Sequence, residues 1–293
     1  MNGLVFYVFF LLLLLAAHIV IGADHIQMHS VFPPILQNYW ESGMRFWTFG
    51  LNTVVTDNYV RLTESAPDAK GYLWNRHSNH MEAFELNVTL QMRKRNSPTL
   101  ATLKEGGMGI WYTTAANFSS NADTRLYGFA QRFFGIGVLL SHSDEISLLA
   151  NNGSISFDTQ SIEQQRRGHC LIPALGELHL TITILYNGNT MDVLYVYHGN
   201  DEPEPSDFAR TVFCASVPSP PLTGTYRFGV TAANSATTQA THEIHSVIMT
   251  PLSDKEHHAE EEMRAGQVHL FKADEKEANK EILGEEEKEG VTQ

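Results

Sequence analysis

The stretch that decides the fold is LHLTITILYNGNTMDVLYVY, residues 178–197. Apolar side chains stand at alternate positions before and after the central Asn187-Gly188-Asn189: Leu178, Leu180, Ile182, Ile184 and Tyr186, then Met191, Val193, Tyr195 and Tyr197. A period of two is typical of a strand with one buried face, and Asn-Gly is a favoured hairpin turn. The stretch therefore predicts a β-hairpin.

The same alternation occurs in residues 81–93, where Phe84 to Met92 supply one apolar face and Asn87 lies on the polar face. Between residues 30 and 250 no amphipathic helix of twelve residues is evident. Many strands without helices favour an antiparallel sandwich or barrel, and about 220 residues fit an all-β jelly roll. Further strands are predicted at 46–55, 71–75, 107–114, 135–140, 145–150, 226–232 and 242–250.

Charge and cysteine content limit the function classes. The chain of 293 residues has a net charge of −13, which argues against nucleic-acid partners because phosphate binding needs Lys and Arg. Two cysteines exclude a four-cysteine zinc module and a disulfide-rich scaffold. Residues 254–293 carry −7 of the charge. We predict that residues 253–293 form an acidic tail that is disordered or partly helical, with a shortened coiled-coil stalk as the alternative.

The N-terminus predicts entry into the secretory lumen. Residues 4–17 are apolar and uncharged, and small residues at Gly22 and Ala23 predict a signal peptide over 1–23. An uncleaved signal anchor is the alternative, since the apolar stretch reaches Ile21. No later segment predicts a membrane span.

An oxidising lumen lets Cys170 and Cys214, the only two cysteines, form a disulfide bridge; two buried free thiols are the alternative. Three sequons predict N-glycosylation in the same compartment. They begin at Asn87, Asn117 and Asn152.

A series of short motifs extends over roughly residues 35–252. They are Phe46-Trp47-Thr48-Phe49-Gly50, the 56–62 segment, Gly71-Tyr72-Leu73-Trp74-Asn75, the 84–90 strand, Gly107-Met108-Gly109-Ile110-Trp111-Tyr112-Thr113, Gly135-Ile136-Gly137-Val138, Asn151-Asn152-Gly153-Ser154-Ile155, the cysteine pair, and Phe228-Gly229-Val230-Thr231-Ala232-Ala233. Together they resemble the legume-like (L-type) lectins of the early secretory pathway. The motifs follow the family's order, so the ordered series is more specific than any one of them.

The resemblance implies a concanavalin-like jelly roll over residues 30–252. It also implies that the domain binds high-mannose glycans on cargo glycoproteins with the help of a calcium ion. Calcium requires several hard oxygen ligands from carboxylates and carbonyls. The metal positions of the family can therefore be compared with the residues of this chain.

This chain has other residues at most of the family's metal-ligand positions. The family's first metal loop, Asp-x-[FY]-x-Asn, falls on residues 141–145, so that Ser141 replaces the aspartate, Ser143 the aromatic residue and Glu145 the asparagine. The second metal segment, Asp-His-x-x-Asp, falls on residues 158–162, where Thr159 replaces the histidine and Ile162 the second aspartate. We therefore expect no metal at the family's positions. A rearranged site made by Asp144, Glu145 and Asp158 is the alternative.

The sugar-contacting positions are also altered. By the resemblance, Thr56 keeps a hydroxyl at the family's serine, and Gly106 stands where an aspartate is usual, with Glu105 beside it. Residues 235–237 replace the family's Gly-Gly-Leu loop. These positions predict a lectin fold whose standard calcium and sugar site has decayed.

The sequence gives little support for an enzyme or for a histidine metal site. No Glu-x-Asp-x-x-Glu run suited to glycan hydrolysis and no Gly-x-Ser-x-Gly elbow is present. The His77–His80 and His242–His245 pairs are spaced so that, in a strand, their side chains would point to opposite faces. We expect no enzyme and no resident cofactor.

Two function classes remain open. The first is a carbohydrate-binding receptor for glycoprotein cargo in the lumen of the ER or Golgi. The second is a calcium-independent protein-interaction module on the same fold, which binds luminal proteins or is secreted. The family motifs favour the first class, and the altered metal loop favours the second.

Overall fold

The computed structural model describes residues 26–36, 44–94, 106–114, 126–159, 161–172, 179–198, 211–219, 222, 225–237 and 239–252. The predicted signal peptide, Glu105, Asn117 and the predicted tail lie outside the described residues.

The described chain forms two antiparallel sheets of seven strands each. The front sheet has the order β1-β4-β13-β6-β7-β8-β9, and the back sheet has the order β12-β11-β10-β5-β14-β3-β2. This all-β jelly-roll sandwich confirms the predicted fold class. The strands are β1 Trp47–Leu51, β2 Val54–Val55, β3 Val60–Thr63, β4 Lys70–Asn75, β5 Phe84–Lys94, β6 Gly107–Thr113, β7 Phe134–Ser141, β8 Glu145–Asn152, β9 Gly168–Leu171, β10 His179–Tyr186, β11 Thr190–His198, β12 Val212–Pro218, β13 Arg227–Ala233 and β14 Ala240–Pro251.

The predicted hairpin forms β10 and β11. Tyr186 pairs with Met191 next to the turn, and the register continues to His179 opposite His198. Gly188 has φ 89° in the turn, a left-handed conformation that glycine adopts without a Cβ clash. The turn chemistry therefore sets the register of this half of the back sheet.

One predicted strand is divided between the two sheets. The apolar run 46–55 forms β1 in the front sheet and β2 in the back sheet. The chain turns at Leu51, which has φ 62°, and the Thr53 hydroxyl donates to the Tyr72 carbonyl at 3.2 Å. Strands β3 and β9 have four residues each and β12 has seven, and the alternation of apolar residues did not predict any of them.

The main core lies between the inner faces of the two sheets. Alternate residues of β5, from Phe84 to Met92, are almost completely buried. They face front-sheet side chains such as Ile110 and Val138 in one continuous apolar cluster. Removing this apolar area from water is the main force that holds the sheets together.

The predicted disulfide Cys170–Cys214 is present. Cys170 is in β9, the edge strand of the front sheet, and Cys214 is in β12, the edge strand of the back sheet. The bond therefore joins the two sheets along one open side of the sandwich. Within the described residues, no helix has the length and apolarity needed to cross a bilayer.

Candidate functional site

Three of the predicted segments meet at one end of the front sheet. Gly107 pairs with Ser141 of β7 on one side and with Ala233 of β13 on the other. Gly106 is buried, and its carbonyl accepts a hydrogen bond from the His142 backbone N–H at 3.1 Å. We call this region the loop end; it consists of Gly106, residues 141–145 and residues 235–237.

Thr56 lies elsewhere, in the turn between β2 and β3. Its hydroxyl donates to the Tyr59 carbonyl at 2.8 Å and accepts the backbone N–H groups of Asn58 and Tyr59. This turn precedes Val60, the first residue of β3, whereas Thr63 at the other end of the strand contacts His242, which bonds to His142 of the loop end. The Thr56 hydroxyl thus serves its own turn.

The turn between β7 and β8 is closed by its own hydroxyl groups. The Ser141 and Ser143 Oγ atoms are 2.5 Å apart, and the Ser143 N–H donates to Ser141 Oγ at 3.3 Å. Ser141 also hydrogen bonds to the buried Tyr127, and burial raises the pKa of that phenol. Asp144 has φ 61°, and its N–H closes the turn on the Ser141 carbonyl. The side-chain oxygen at the first metal position is therefore already engaged.

Glu145 begins β8 and forms an ion pair with Arg166, which follows the helical turn Ile162–Gln165. Both side chains are only 15% exposed. The Glu145 carboxylate also accepts the Ser147 hydroxyl at 3.1 Å. By the resemblance, Glu145 belongs to the first metal loop and Ile162 to the second metal segment. The Glu145–Arg166 ion pair thus joins these two segments.

Ile162 is buried in a second apolar cluster on the outer face of the front sheet. In this cluster the Trp111 and Phe129 rings stack at 4.3 Å, and the Trp111 indole N–H donates to Thr231 at 2.9 Å. Gly137 makes room for the indole, because a Cβ there would lie 2.5 Å from the ring. The segment that follows β8 is thus anchored by apolar packing at Ile162, where the resemblance expects a carboxylate.

A buried imidazole pair connects the loop end to the back sheet. The Nε2 atoms of His142 and His242 are 2.9 Å apart, and His242 Nδ1 lies 2.6 Å from Thr63 Oγ1. Since the Thr63 hydroxyl donates to the Ala240 carbonyl, it must accept from His242 Nδ1–H. His242 Nε2 is then the acceptor for His142 Nε2–H. Burial, and then the facing His142 imidazole, hold the pKa of His242 well below its ordinary value.

Sequence reasoning missed two further residues of this region. Asn234 is buried, and its amide donates to the carbonyls of Glu64, Ala66 and Ala240 at 2.8–3.1 Å. It therefore fixes the segment before the 235–237 loop. Within the described residues, the buried hydroxyl of the neighbouring Ser65 has no hydrogen-bond partner. Neither residue belongs to a motif that the sequence pattern singled out.

The donor set does not fit calcium. The ion requires six to eight oxygen ligands, but Ser141 is hydrogen bonded within its turn, Glu145 is paired with Arg166, and Ile162 offers no oxygen. No group of three His, Cys, Asp or Glu side chains in the described ranges is arranged to hold a metal. The alternative cluster of Asp144, Glu145 and Asp158 is therefore not assembled.

The His242–His245 pair has the orientation that the strand period predicts. His242 is buried between the sheets, whereas His245 lies at a bulge of β14. The His245 ring is tilted against that of His179 in β10, with the centroids 4.4 Å apart. Burial lowers the pKa of His179 and of His245. His77 and His80 lie in the connection after β4 and are exposed.

A cleft of about 420 Å³ opens at the opposite end of the front sheet. It is lined by the last residues of β8, by Arg167 and by the end of β12: Ala150, Asn151, Asn152, Ser154, Ile155, Arg167, Pro218 and Ser219. The predicted sugar-contacting positions at the loop end do not contribute to it. The cleft and the loop end are therefore separate features.

Two antiparallel sheets of seven strands in this order define a jelly-roll sandwich. The calcium-bound structure of the VIP36 lumenal domain matches with a TM-score of 0.64 at 21% identity, covering 78% of this chain and 91% of that one. The Emp47p carbohydrate recognition domain matches with a TM-score of 0.59 at 19% identity, covering 77% and 96%. At these identities the likeness shows the fold.

The chain belongs to the legume-like lectin family, whose profile matches residues 23–259. It is 30% identical to the canine vesicular integral-membrane protein VIP36 over 164 residues, which make up 51% of this chain and 44% of that protein. It is 28% identical to the mouse VIP36-like protein over 141 residues, or 44% of this chain and 38% of that protein. The chain thus spans less than half the length of these relatives.

Proposed function

We propose that this protein binds glycoprotein cargo in the lumen of the secretory pathway. Membership of the legume-like lectin family is the observation that carries the proposal. The VIP36 lumenal domain, which shares the fold, has been solved with calcium and mannose ligands. The predicted signal peptide over residues 1–23 supports a luminal location, in the ER or Golgi or after secretion. We assign the domain to binding and not to catalysis.

The loop end supports recognition without calcium. Glu145 is paired with Arg166, so the carboxylate at the end of the first metal loop already has a cation beside it. The His142–His242 pair and Asn234 hold the neighbouring loops through protein groups. In this proposal the protein itself orders the loops that an ion would otherwise have to order.

The second candidate is a module that recognises the protein surface of its partners. The observation that favours it is the loss of sugar-binding oxygens: Gly106 has no side chain, and the Thr56 hydroxyl is used within its own turn. Both candidates use the same domain and the same luminal location. They differ in whether removal of glycans from the partner abolishes binding.

A glycan array probed with and without a chelator tests the first candidate and its independence of calcium. We expect any high-mannose binding to be equal in calcium and in EDTA. Micromolar mannose binding that requires calcium would overturn the calcium-independent mode. A complete lack of glycan binding would favour the second candidate.

A pull-down of luminal partners before and after endoglycosidase treatment distinguishes the candidates directly. Partners that are lost after the treatment support glycan recognition, whereas partners that remain support recognition of protein surface. The variant R166M, which leaves Glu145 without its cation, should weaken capture in either case if the loop end is the binding region. The neighbouring R167M is the matched control, because Arg167 is exposed.

A further inference from the structure

Phe134, the first residue of β7, is unusual for its strand. It is 53% exposed, whereas Ile136 and Val138 on the same face of β7 are buried in the core. An aromatic ring left half in water loses part of the free energy that burial would supply. A partner that covers this ring would therefore be stabilised by the contact.

The residue opposite Phe134 in the pairing of β7 with β8 is the first residue of a glycosylation sequon. Phe134 lies directly opposite Asn152 in the pairing of β7 with β8. Side chains of directly opposed residues are about 5 Å apart at Cβ. The ring also lies against Gly153, where a Cβ would come within 2.4 Å of it, and Gly153 has φ 83°. The middle residue of the sequon therefore has to be small for the ring to lie beside Asn152.

The amide of Asn152 is free to carry a sugar. Asn152 is exposed, and its Oδ1 accepts hydrogen bonds from Ser154 N at 3.2 Å and Ser154 Oγ at 2.6 Å. Its Nδ2 makes no hydrogen bond within the described residues. At the Asn87 sequon, by contrast, Nδ2 donates to Glu85 and Oδ1 accepts from Thr183. The amide of Asn87 is thus engaged on both atoms.

We propose that Asn152 carries an N-linked glycan whose first N-acetylglucosamine lies against the Phe134 ring. The glycan is joined as Nδ2 bonds to C1 of a diphosphate-linked oligosaccharide, while the C1–O bond to the diphosphate breaks and the amide loses one proton. The C–H bonds on one face of a pyranose ring meet the electron-rich face of an aromatic ring favourably. The covalent link keeps the sugar within reach of Phe134.

The cleft beside Asn152 extends this site. Asn152 and Ser154 line it together with Arg167 and Ser219, so polar residues adjoin the asparagine that would carry the glycan. The assignment is independent of whether the loop end binds sugars of other proteins. It concerns a glycan that belongs to this chain.

The test uses full-length protein secreted from eukaryotic cells that make high-mannose glycans, with N87Q and N117Q leaving Asn152 as the remaining predicted site. Endoglycosidase H leaves one N-acetylglucosamine on the asparagine, whereas peptide N-glycosidase F removes the whole glycan. We expect the melting temperature to be unchanged by the first enzyme and to fall by roughly 2–4 °C with the second. In F134L the fall should disappear, and in F134Y it should remain.

An independent measurement is the NMR shift of the protons of the first N-acetylglucosamine. The ring current of Phe134 should move them upfield, and the shift should vanish in F134L while the protein stays folded. F32L, which alters another exposed phenylalanine, is the matched control and should change neither result. Lack of a glycan on Asn152, or equal effects of peptide N-glycosidase F in wild type and F134L, would overturn the proposal.

Discussion

Polar side chains are paired with one another at the loop end of the sandwich and exposed at the opposite end. At the loop end Glu145 is paired with Arg166, and the imidazoles of His142 and His242 bond to each other. At the opposite end Asn152 and Arg167 are exposed beside an open cleft. At the positions where the resemblance expects metal ligands, this chain has groups that pair with one another. The loop end is therefore expected to contribute to stability, and the opposite end is expected to tolerate substitution and modification.

Removal of the disulfide near the loop end should cause the largest loss of stability. Cys170 lies opposite Ile146 in the pairing of β8 and β9, next to the loop end. The bond closes a separation of 44 residues, for which the chain-entropy model gives about 4 kcal/mol. We expect the C170A/C214A double variant to lose stability of this order in urea unfolding. N152Q, compared with the parent chain when both lack glycans, should lose less than about 0.5 kcal/mol. Comparable losses in the two variants would remove the contrast between the ends.

The second-largest effect should come from acid, which should lower the free energy of unfolding through His242. The folded pKa of His242 is held well below its ordinary value by burial and by His142, so below about pH 6.5 the unfolded chain binds a proton that the folded chain does not. The contribution of the neutral His242 to the free energy of unfolding is therefore complete above about pH 6.5. It declines as the pH falls, by about 1.4 kcal/mol for each pH unit while His242 stays neutral in the folded state.

Urea unfolding between pH 7 and pH 5 measures this slope. H242Q should make the slope shallower, because the titrating imidazole is gone. H80Q alters an exposed histidine and should keep the slope of the wild type. If H242Q and wild type had the same slope, His242 would not be the source of the acid sensitivity.

Loss of the internal cation should have a smaller effect. R166M leaves the Glu145 carboxylate, 15% exposed, without its partner, and we expect a loss of about 1–3 kcal/mol. E145Q/R166M should recover part of this loss, because the unpaired charge is removed as well. R167M changes an exposed arginine beside the cleft and should be near neutral. Equal losses in R166M and R167M would contradict the assigned role of the ion pair.

Calcium should have the smallest effect of all. An ion bound only by the folded state at a hundred times its dissociation constant would add about 2.7 kcal/mol of stability and raise the melting temperature by several degrees. We expect no shift between calcium and EDTA. The VIP36 lumenal domain, solved in a calcium-bound form, is a suitable positive control in the same melting assay. A calcium-dependent rise in this protein would show that the loop end rearranges to bind the ion.

Local patterns predicted much of the fold. The alternation in residues 178–197 and 81–93 predicted strands that the structure contains, because a half-buried strand must repeat with a period of two. The run 46–55 was predicted as one strand, yet it turns at Leu51 and contributes to both sheets. Periodicity does not report to which sheet a strand belongs, so this division was not visible in the sequence.

The candidate site was less accessible to sequence reasoning. The losses at Ser141 and Ile162 could be identified by the resemblance, because they replace residues of recognisable motifs. The groups that fill the space could not: Arg166 belongs to no motif, and His142 and His242 are separated by 100 positions in the chain. The place of Thr56, in a turn away from the loop end, also follows only from the strand order.

The sequence by itself determined the all-β class and the one possible cysteine pair, because each depends on residue type and local spacing. The expected replacement of metal ligands depended on the family resemblance. Only the tertiary structure decided that Glu145 meets Arg166, that His142 meets His242, and that Phe134 lies across from Asn152. These pairs arise from sheet register and from packing between layers, which bring together residues distant in the chain. The same physical difference explains why the residue types at the metal positions could be compared in the sequence, while the pairs that form there could not be predicted.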